Sequence, residues 1–232
     1  MSDLAKPLAL VTGVGPGTGA AIVRRFARAG YRTAMIARDA DRLAALEQEI
    51  PDSRAFVCDV TDTAALADTV AAAGPARVVV HNAVGGAFGT FADIAPEVLQ
   101  RNFDINTMAL YHLARLTTPA MIAAGAGAII VTGNTSAQRG KAAFAGFAPT
   151  KAAQRILAES LARDLGPKGI HVAYLVIDAA IDVPWQRAFQ PGKPDDFFIS
   201  PQSIADEIHH LAHQPKDAWS FLAELRPFHE IW

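Results

Sequence analysis

Short apolar segments alternate with longer amphipathic segments along most of this 232-residue chain. The apolar segments do not alternate with polar residues, which is typical of parallel strands buried on both faces. The predicted strands are residues 8–12, 33–36, 54–58, 78–81, 128–132 and 170–176, and the predicted helices are residues 18–29, 39–49, 61–73, 96–124 with a break near Asn102, and 148–165. Such an order predicts a single α/β domain over residues 1–232, a Rossmann-like doubly wound parallel sheet with right-handed crossovers and helices on both faces.

The composition excludes several classes of protein. With 51% apolar and 19% charged residues, the chain is not intrinsically disordered. The net charge of −2 provides no basic field for nucleic acid or an anionic membrane. A single cysteine, Cys58, excludes a disulfide framework and a multi-cysteine metal site. Because no apolar stretch is long enough to span a bilayer and no signal peptide is recognisable, we predict a cytoplasmic protein without a bound metal.

A glycine-rich turn, TGVGPGTG at residues 12–19, joins the first predicted strand to the first helix. Glycine lets the backbone turn tightly and come close to a pyrophosphate, and the helix N-terminus offers free N–H groups to that anion. Ordinary loops also use glycine, so the position between strand and helix carries the inference. The turn predicts a dinucleotide site formed by Thr12, Gly13, Gly17, Thr18 and Gly19.

The residues after the second strand indicate which dinucleotide is expected. An acidic residue there would bind the adenosine ribose hydroxyls, but the sequence has Ala37, Arg38 and Asp39. Arg38 is placed to pair with a 2′-phosphate, which favours NADP(H) over NAD(H), although an ordinary surface arginine is the alternative. Asp39 is predicted to cap the following helix.

On these features the chain resembles the short-chain dehydrogenase/reductase family over residues 7–184. The glycine turn matches the TGxxxGxG pattern of that family, and Lys151 matches the lysine of its YxxxK motif. The resemblance implies further cofactor contacts at Asp59, Val60, Asn82, Ala83 and Ile181, and it implies that Lys151 holds the nicotinamide ribose. It also implies an active-site role for Asn106, a small-molecule substrate, and a homodimer or homotetramer.

The chain departs from that family at two active-site positions. Phe147 stands at the tyrosine position of YxxxK, and Asn134 stands at the serine position. In the family the tyrosine gives the proton that a reduced carbonyl needs, and the serine polarises the carbonyl. Phe147 has no ionisable group, and losing a general acid costs about two to four powers of ten in rate. Asn134 retains one amide donor, and Ser136 is expected to face the same side if the backbone stays extended.

No other side chain clearly replaces the tyrosine. Tyr111 and His112 are expected to point off the active-site face, His81 is more typical of a satisfied loop histidine, and Asp178 would be an acid only if burial raised its pKa. The proton would come from water, from Lys151 through the ribose hydroxyl, or a substrate would need no strong acid. Two functions stay open: an NADP(H)-dependent oxidoreductase of atypical mechanism acting on a small carbonyl, alcohol or enone, or a catalytically inactive NADP(H)-binding sensor or partner subunit. A module without a cofactor is disfavoured by the glycine turn.

Two segments do not follow the strand–helix alternation. Residues 183–200 contain three prolines and several aromatic residues, and long loops in compact domains are usually functional. We interpret this segment as a substrate-side cover, with a plain surface loop as the alternative. The aromatic residues 226–232 are expected to dock on the body or on a neighbouring subunit. Specificity is therefore assigned to these two segments.

Overall fold

The computed structural model describes residues 6–229. The strands are β1 (Leu8–Thr12), β2 (Arg32–Ala37), β3 (Ser53–Val57), β4 (Val78–His81), β5 (Gly127–Gly133), β6 (Ile170–Ile177), β7 (Ala180–Ile181), β8 (Phe198–Ile199) and β9 (Leu222–Leu225). The helices are α1 (Thr18–Arg28), α2 (Ala40–Glu49), α3 (Thr63–Ala73), α4 (Pro96–Phe103), α5 (Ala109–Ala124), α6 (Ala148–Leu165), α7 (Pro184–Phe189) and α8 (Pro201–Ala212). Seven strands form one parallel sheet in the order β3-β2-β1-β4-β5-β6-β9.

The sheet separates two hydrophobic cores. Alternate residues of β1 face opposite sides, so Leu8 and Leu10 pack with α3 and α5 while Ala9 and Val11 pack with α1 and α2. Strands β1, β4 and β6 are buried at every position, which explains why their sequences are apolar without alternation. The predicted fold, a parallel sheet with helices on both faces, is confirmed.

The long helical region 96–124 is not one helix. Between α4 and α5 the backbone widens into a π-helical segment, Asp104–Met108. No glycine or proline marks this segment, and the predicted break at Asn102 lies two residues before it. A π-helical turn changes the direction of the side chains it contains, and such turns are frequent at functional sites. Here Asn106 is fully buried within it.

The last quarter of the chain contains elements that the apolar pattern did not indicate. Helix α8 begins at a Ser200 cap, whose hydroxyl accepts a hydrogen bond from the Ser203 amide. Strand β9 adds to the sheet edge beside β6, and its residues alternate between exposed and half-buried. An edge strand of this kind is short and partly polar, so it lacks the uninterrupted apolar run that identified the other strands.

The predicted cover, residues 183–200, contains α7, a 3₁₀ turn at Asp195–Phe197 and β8, which pairs with β7. Of the aromatic C-terminal segment, residues 230–232 lie outside the described residues. Before them, His229 Nδ1 lies 3.4 Å from Asp196 Oδ2 of the cover. Within residues 6–229, no helix is both long and apolar enough to cross a membrane.

Candidate active site

A cleft of about 870 Å³ opens at the carboxyl ends of β1, β2, β4 and β5. The strand order changes direction here, because β2 lies on one side of β1 and β4 lies on the other. Ligands of open α/β sheets bind at such a switch point. Thirteen predicted site residues line this cleft: Gly13, Gly17, Thr18, Gly19, Arg38, Asp59, Val60, Asn82, Ala83, Asn134, Phe147, Lys151 and Ile181.

The glycine turn forms a backbone cradle at the middle of the cleft. Gly13 has a φ of +70°, and a Cβ atom there would lie 2.5 Å from the backbone of Ala83. The Asn82 amide donates a 2.9 Å hydrogen bond to the Gly13 carbonyl, which fixes the turn against the end of β4. Helix α1 begins at Gly17 without a side-chain cap. Its first N–H groups are therefore available to an anion, so the cradle fits a pyrophosphate.

Two alanine substitutions separate the folding role of this turn from its binding role. A Cβ at Gly19 would lie 2.5 Å from the Gly13 carbonyl oxygen, whereas a Cβ at Gly15 would meet nothing within 4 Å. G19A should therefore lose about 1–3 kcal/mol of unfolding free energy by overpacking. G15A should unfold like the unmodified protein yet bind NADPH more weakly, because Gly15 lines the cleft. Urea unfolding and calorimetric titration with NADPH measure both effects, and equal stability of the two variants would contradict this account.

The end of the cleft beside β2 and β3 is polar. Arg38 is exposed and forms no ion pair within residues 6–229, whereas the neighbouring Arg42 lies 2.7 Å from Asp39. Asp39 also caps α2 by accepting the Arg42 amide. Asp59 accepts hydrogen bonds from Thr61, and Arg101 lies 3.1 Å from its other oxygen. Arg42 and Arg101 therefore already have acidic partners. Among residues 6–229, Arg38 is the cation at this end that remains available to an anionic ligand.

Two of the predicted residues support the cleft from behind instead of lining it. The Thr12 hydroxyl lies 3.1 Å from His81 Nδ1 and accepts a long hydrogen bond from the Ala83 amide. The Asn106 side chain donates to the Gly85 carbonyl and to the Thr150 hydroxyl, both at 2.8 Å, and accepts from the Gly85 amide. These bonds hold the loop after β4 against the π-helical segment and α6.

Ser136 lies outside the cleft because the backbone does not stay extended. After Asn134 the chain turns into a 3₁₀ helix, Thr135–Ala137, and Ser136 lines a second cavity of about 320 Å³ instead. The expected shared direction of Asn134 and Ser136 is therefore wrong. The side-chain oxygen of Asn134, Oδ1, accepts a 3.1 Å hydrogen bond from the Ser136 amide. Within residues 6–229 its Nδ2 has no hydrogen-bond partner, so this donor is available in the cleft.

Aromatic side chains form the wall opposite the polar end. Phe147 is 5% exposed and directly precedes α6, and its ring lies 5.7 Å from that of Phe88 in an edge-to-face contact. Phe144 supports Phe88 from behind at 5.1 Å. Trp185 of the cover also lines the cleft, and the edge of its ring lies beside Gly17 of the glycine turn. Sequence reasoning missed Phe88, because a single aromatic residue in a loop carries no periodic signal, and it named the segment 183–200 that contains Trp185 without naming this residue.

Lys151 is the one titratable side chain that lines this end of the cleft in the described part of the chain. Its amine donates to the Thr132 carbonyl at 2.9 Å and to Gln154 Oε1 at 2.5 Å. Gln154 is fully buried and donates in turn to the Asn106 carbonyl at 2.7 Å. Burial lowers the pKa of Lys151 to about 7. Gln154 was missed by sequence reasoning, although it lies three residues after Lys151 and so on the same helix face.

The other candidate acids do not reach the cleft. His81 is buried beside Thr12, and desolvation together with Lys151 lowers its pKa to about 3, so it is neutral at neutral pH. Tyr111 is 39% exposed on α5, where it contacts His112 and Arg115. Asp178 is buried, and its amide bonds to β9. Within residues 6–229, none of these side chains lines the cleft.

The family model for short chain dehydrogenase matches residues 7–189. The chain belongs to the short-chain dehydrogenase family.

Three known proteins are similar to this chain over most of its length. The D-erythrulose reductase of Gallus gallus is 34% identical over 165 residues, which are 71% of this chain and 67% of that protein. The L-xylulose reductase of Bos taurus is 31% identical over 170 residues, 73% of this chain and 70% of that protein. A metagenomic short-chain oxidoreductase solved in complex with NADP is 30% identical, with a TM-score of 0.82 and coverage of 95% and 97%.

Membership of this family makes the chain an NAD(P)-dependent oxidoreductase by class, as predicted. In this short-chain dehydrogenase the nucleotide half of the cleft contains the glycine cradle and Arg38, which has no ion-pair partner within residues 6–229. The opposite half contains an amide, a retained lysine and a wall of aromatic rings, and it contains no carboxyl, phenol or imidazole among residues 6–229. The two halves therefore differ sharply in chemistry.

Proposed function

We propose that this short-chain dehydrogenase binds NADP(H) and reduces a small unsaturated substrate without a tyrosine proton donor. The observation that carries the proposal is the cleft itself, which runs from Arg38 across the glycine cradle to Asn134, Phe147 and Lys151. NADPH, when bound, supplies a hydride. The solved metagenomic relative with NADP supports the choice of nucleotide.

Each part of the cleft has a proposed task. Arg38 pairs with the 2′-phosphate, and the amides at the start of α1 bind the pyrophosphate. Asp59 and Val60 contact the adenine. Lys151, fixed by Thr132 and Gln154, faces the nicotinamide ribose, and the free Asn134 amide donates a hydrogen bond to the substrate. We take carbonyl compounds, alcohols and enones as the first substrates to test. Two similar proteins are named D-erythrulose reductase and L-xylulose reductase, which supports this choice.

The test has two stages. Calorimetric titration should show NADPH binding at least about tenfold tighter than NADH, a difference of about 1.4 kcal/mol. Consumption of NADPH is then followed with a panel of ketones, aldehydes and enones, with K151M as the control. The proposed function fails if neither nucleotide binds, or if no compound is consumed faster than by K151M.

A second candidate is favoured because, among residues 6–229, no carboxyl, phenol or imidazole group lines the cleft beside Phe147: an NADP(H)-binding sensor or partner subunit without catalytic turnover. It predicts that NADPH binds and is never consumed. The double variant F147Y/N134S should then gain a ketone reductase activity that the unmodified protein lacks, because a phenol and a hydroxyl are restored at the two departed positions. Turnover by the unmodified protein contradicts this candidate.

The self-association expected from the family remains a prediction.

A further inference from the structure

The Lys151 amine is held from behind and is open towards the cleft. Lys151 is 2% exposed, yet it lines the cleft together with Phe147. An ammonium group has three N–H donors. Two of them reach the Thr132 carbonyl at 2.9 Å and Gln154 Oε1 at 2.5 Å, and the third has no acceptor within residues 6–229. This third N–H is therefore the one available to a molecule bound in the cleft.

The Gln154 side chain can present only its oxygen to this amine. It is fully buried, and its Nε2 donates to the Asn106 carbonyl at 2.7 Å, so that bond directs Oε1 towards Lys151. The Tyr174 hydroxyl donates to the same oxygen at 3.4 Å. Neither a backbone carbonyl nor an amide oxygen takes up a proton near neutral pH. A proton that leaves Lys151 therefore leaves towards the cleft and not into the protein.

No neighbouring charge retains the proton on Lys151 within the described part of the chain. His81 on β4 is neutral at neutral pH, because desolvation and then the charge of Lys151 lower its pKa to about 3. Burial raises the pKa of the Tyr174 hydroxyl on β6, so this group is neutral as well. On α6, Arg155 pairs with Glu159 at 3.3 Å. Burial lowers the pKa of Lys151 to about 7, which suits an acid that works near neutral pH.

We propose that Lys151 is the proton donor of this cleft and that Gln154 is the positioning residue that directs its free N–H towards the substrate. The carbonyl carbon of the substrate accepts a hydride, and the π electron pair of the C=O bond moves to the oxygen. The oxygen takes a proton from the Lys151 ammonium, and the electron pair of the broken N–H bond stays on the nitrogen of a neutral amine. The substrate becomes an alcohol, and the amine regains a proton from solvent. This inference rests on the proposed function, which supplies the hydride.

The titration of Lys151 provides a readout that does not depend on turnover. In the nucleotide-free protein with isotope-labelled lysine, the nuclear magnetic resonance signal that K151M lacks should titrate with a midpoint near pH 7. Q154E places a carboxylate against the amine and should raise this midpoint by about one pH unit or more. Q48E adds the same charge at an exposed position outside the cleft lining and should leave the midpoint unchanged.

The pH dependence of reduction should follow that titration. With NADPH and a ketone, kcat/KM should fall about tenfold per pH unit above the pKa of Lys151, because only the ammonium form donates a proton. In Q154E the fall should move to higher pH by the same amount as the titration midpoint. In Q48E it should stay where it is in the unmodified protein. A residue that only supported the fold would lower the rate without moving the profile.

Added ammonium ions separate a proton donor from a charge that only binds. K151A should lose at least about 100-fold in kcat, which is the cost of a missing general acid. Ethylammonium carries a transferable proton and should restore part of this rate. Tetramethylammonium carries the charge without the proton and should not. K168M is the matched control for the loss of a lysine, since Lys168 pairs with Asp164 outside the cleft lining, and it should keep the unmodified rate.

The outcomes distinguish this inference from the function on which it rests. Equal rescue of K151A by the two ions, or a pH profile that stays in place in Q154E while the midpoint of the amine moves, overturns the assignment and leaves the NADPH-dependent reductase standing. A midpoint above about pH 9 in the unmodified protein does the same. Failure of NADPH to bind overturns the proposed function as well. Binding of NADPH without consumption overturns the assignment and agrees with the sensor alternative.

Discussion

An R38E variant should bind NADPH about 100-fold more weakly than the unmodified protein and should bind NADH with little change. Arg38 is exposed at the end of β2, lines the cleft and has no ion pair within residues 6–229. A guanidinium on a phosphate dianion contributes about 1.5–3 kcal/mol, which corresponds to roughly 10- to 100-fold in affinity. A carboxylate in its place adds repulsion. Calorimetric titrations with both nucleotides at low salt measure the difference.

Two control variants make this result specific. Arg42 also lines the cleft, but its guanidinium is engaged by Asp39 at 2.7 Å, so R42Q should have the smaller effect on NADPH. R38K keeps the charge without the bidentate fork and should give an intermediate loss. An equal loss of NADPH and NADH in R38E would indicate a distorted turn instead of a phosphate contact. No loss of either would make Arg38 an ordinary surface residue.

The sequence predicted the parts of the molecule that local patterns determine. Strands such as β1 and β4 are buried on both sides, so their apolar runs stand out, and the turn at Gly13 needs a residue without a side chain. Strand β9 was missed because an exposed edge alternates and includes Glu224. In these cases a strand is recognisable in the sequence when burial on both faces restricts its residues to apolar types, and it is harder to recognise when one face is exposed.

The candidate site was harder to predict where long-range contacts decide it. Ser136 leaves the cleft because the chain turns after β5, and nothing in the sequence separates that turn from a continued strand. Gln154 holds Lys151 only because α6 packs beside the π-helical segment that presents the Asn106 carbonyl. Phe88 and Trp185 come from distant loops that meet at the cleft. A motif identifies the residue at one position, but its partners come from the tertiary fold.

The buried Lys151 predicts a dependence of stability on pH that K151M should remove. Its pKa is about 7 in the folded protein, against 10.5 for a free lysine side chain. Between these values the unfolded chain binds a proton that the folded protein has released, so the free energy of unfolding should rise with pH. The slope is at most about 1.4 kcal/mol per pH unit. The stabilisation is complete above the unfolded pKa and is lost as the pH falls through the folded pKa.

Urea unfolding of the unmodified protein and K151M between pH 7 and 9 measures this effect as a difference. His81 does not contribute in that range, because its pKa of about 3 places its own effect below pH 6.5. Q154E is the companion variant: a carboxylate at 2.5 Å in place of the amide oxygen would raise the pKa of Lys151 and flatten the slope while keeping the lysine. Parallel curves for the unmodified protein and K151M would mean that Lys151 stays charged in the fold. A slope that both variants remove would mean that the folded protein releases the Lys151 proton near pH 7, where the amine is held by Thr132 and Gln154.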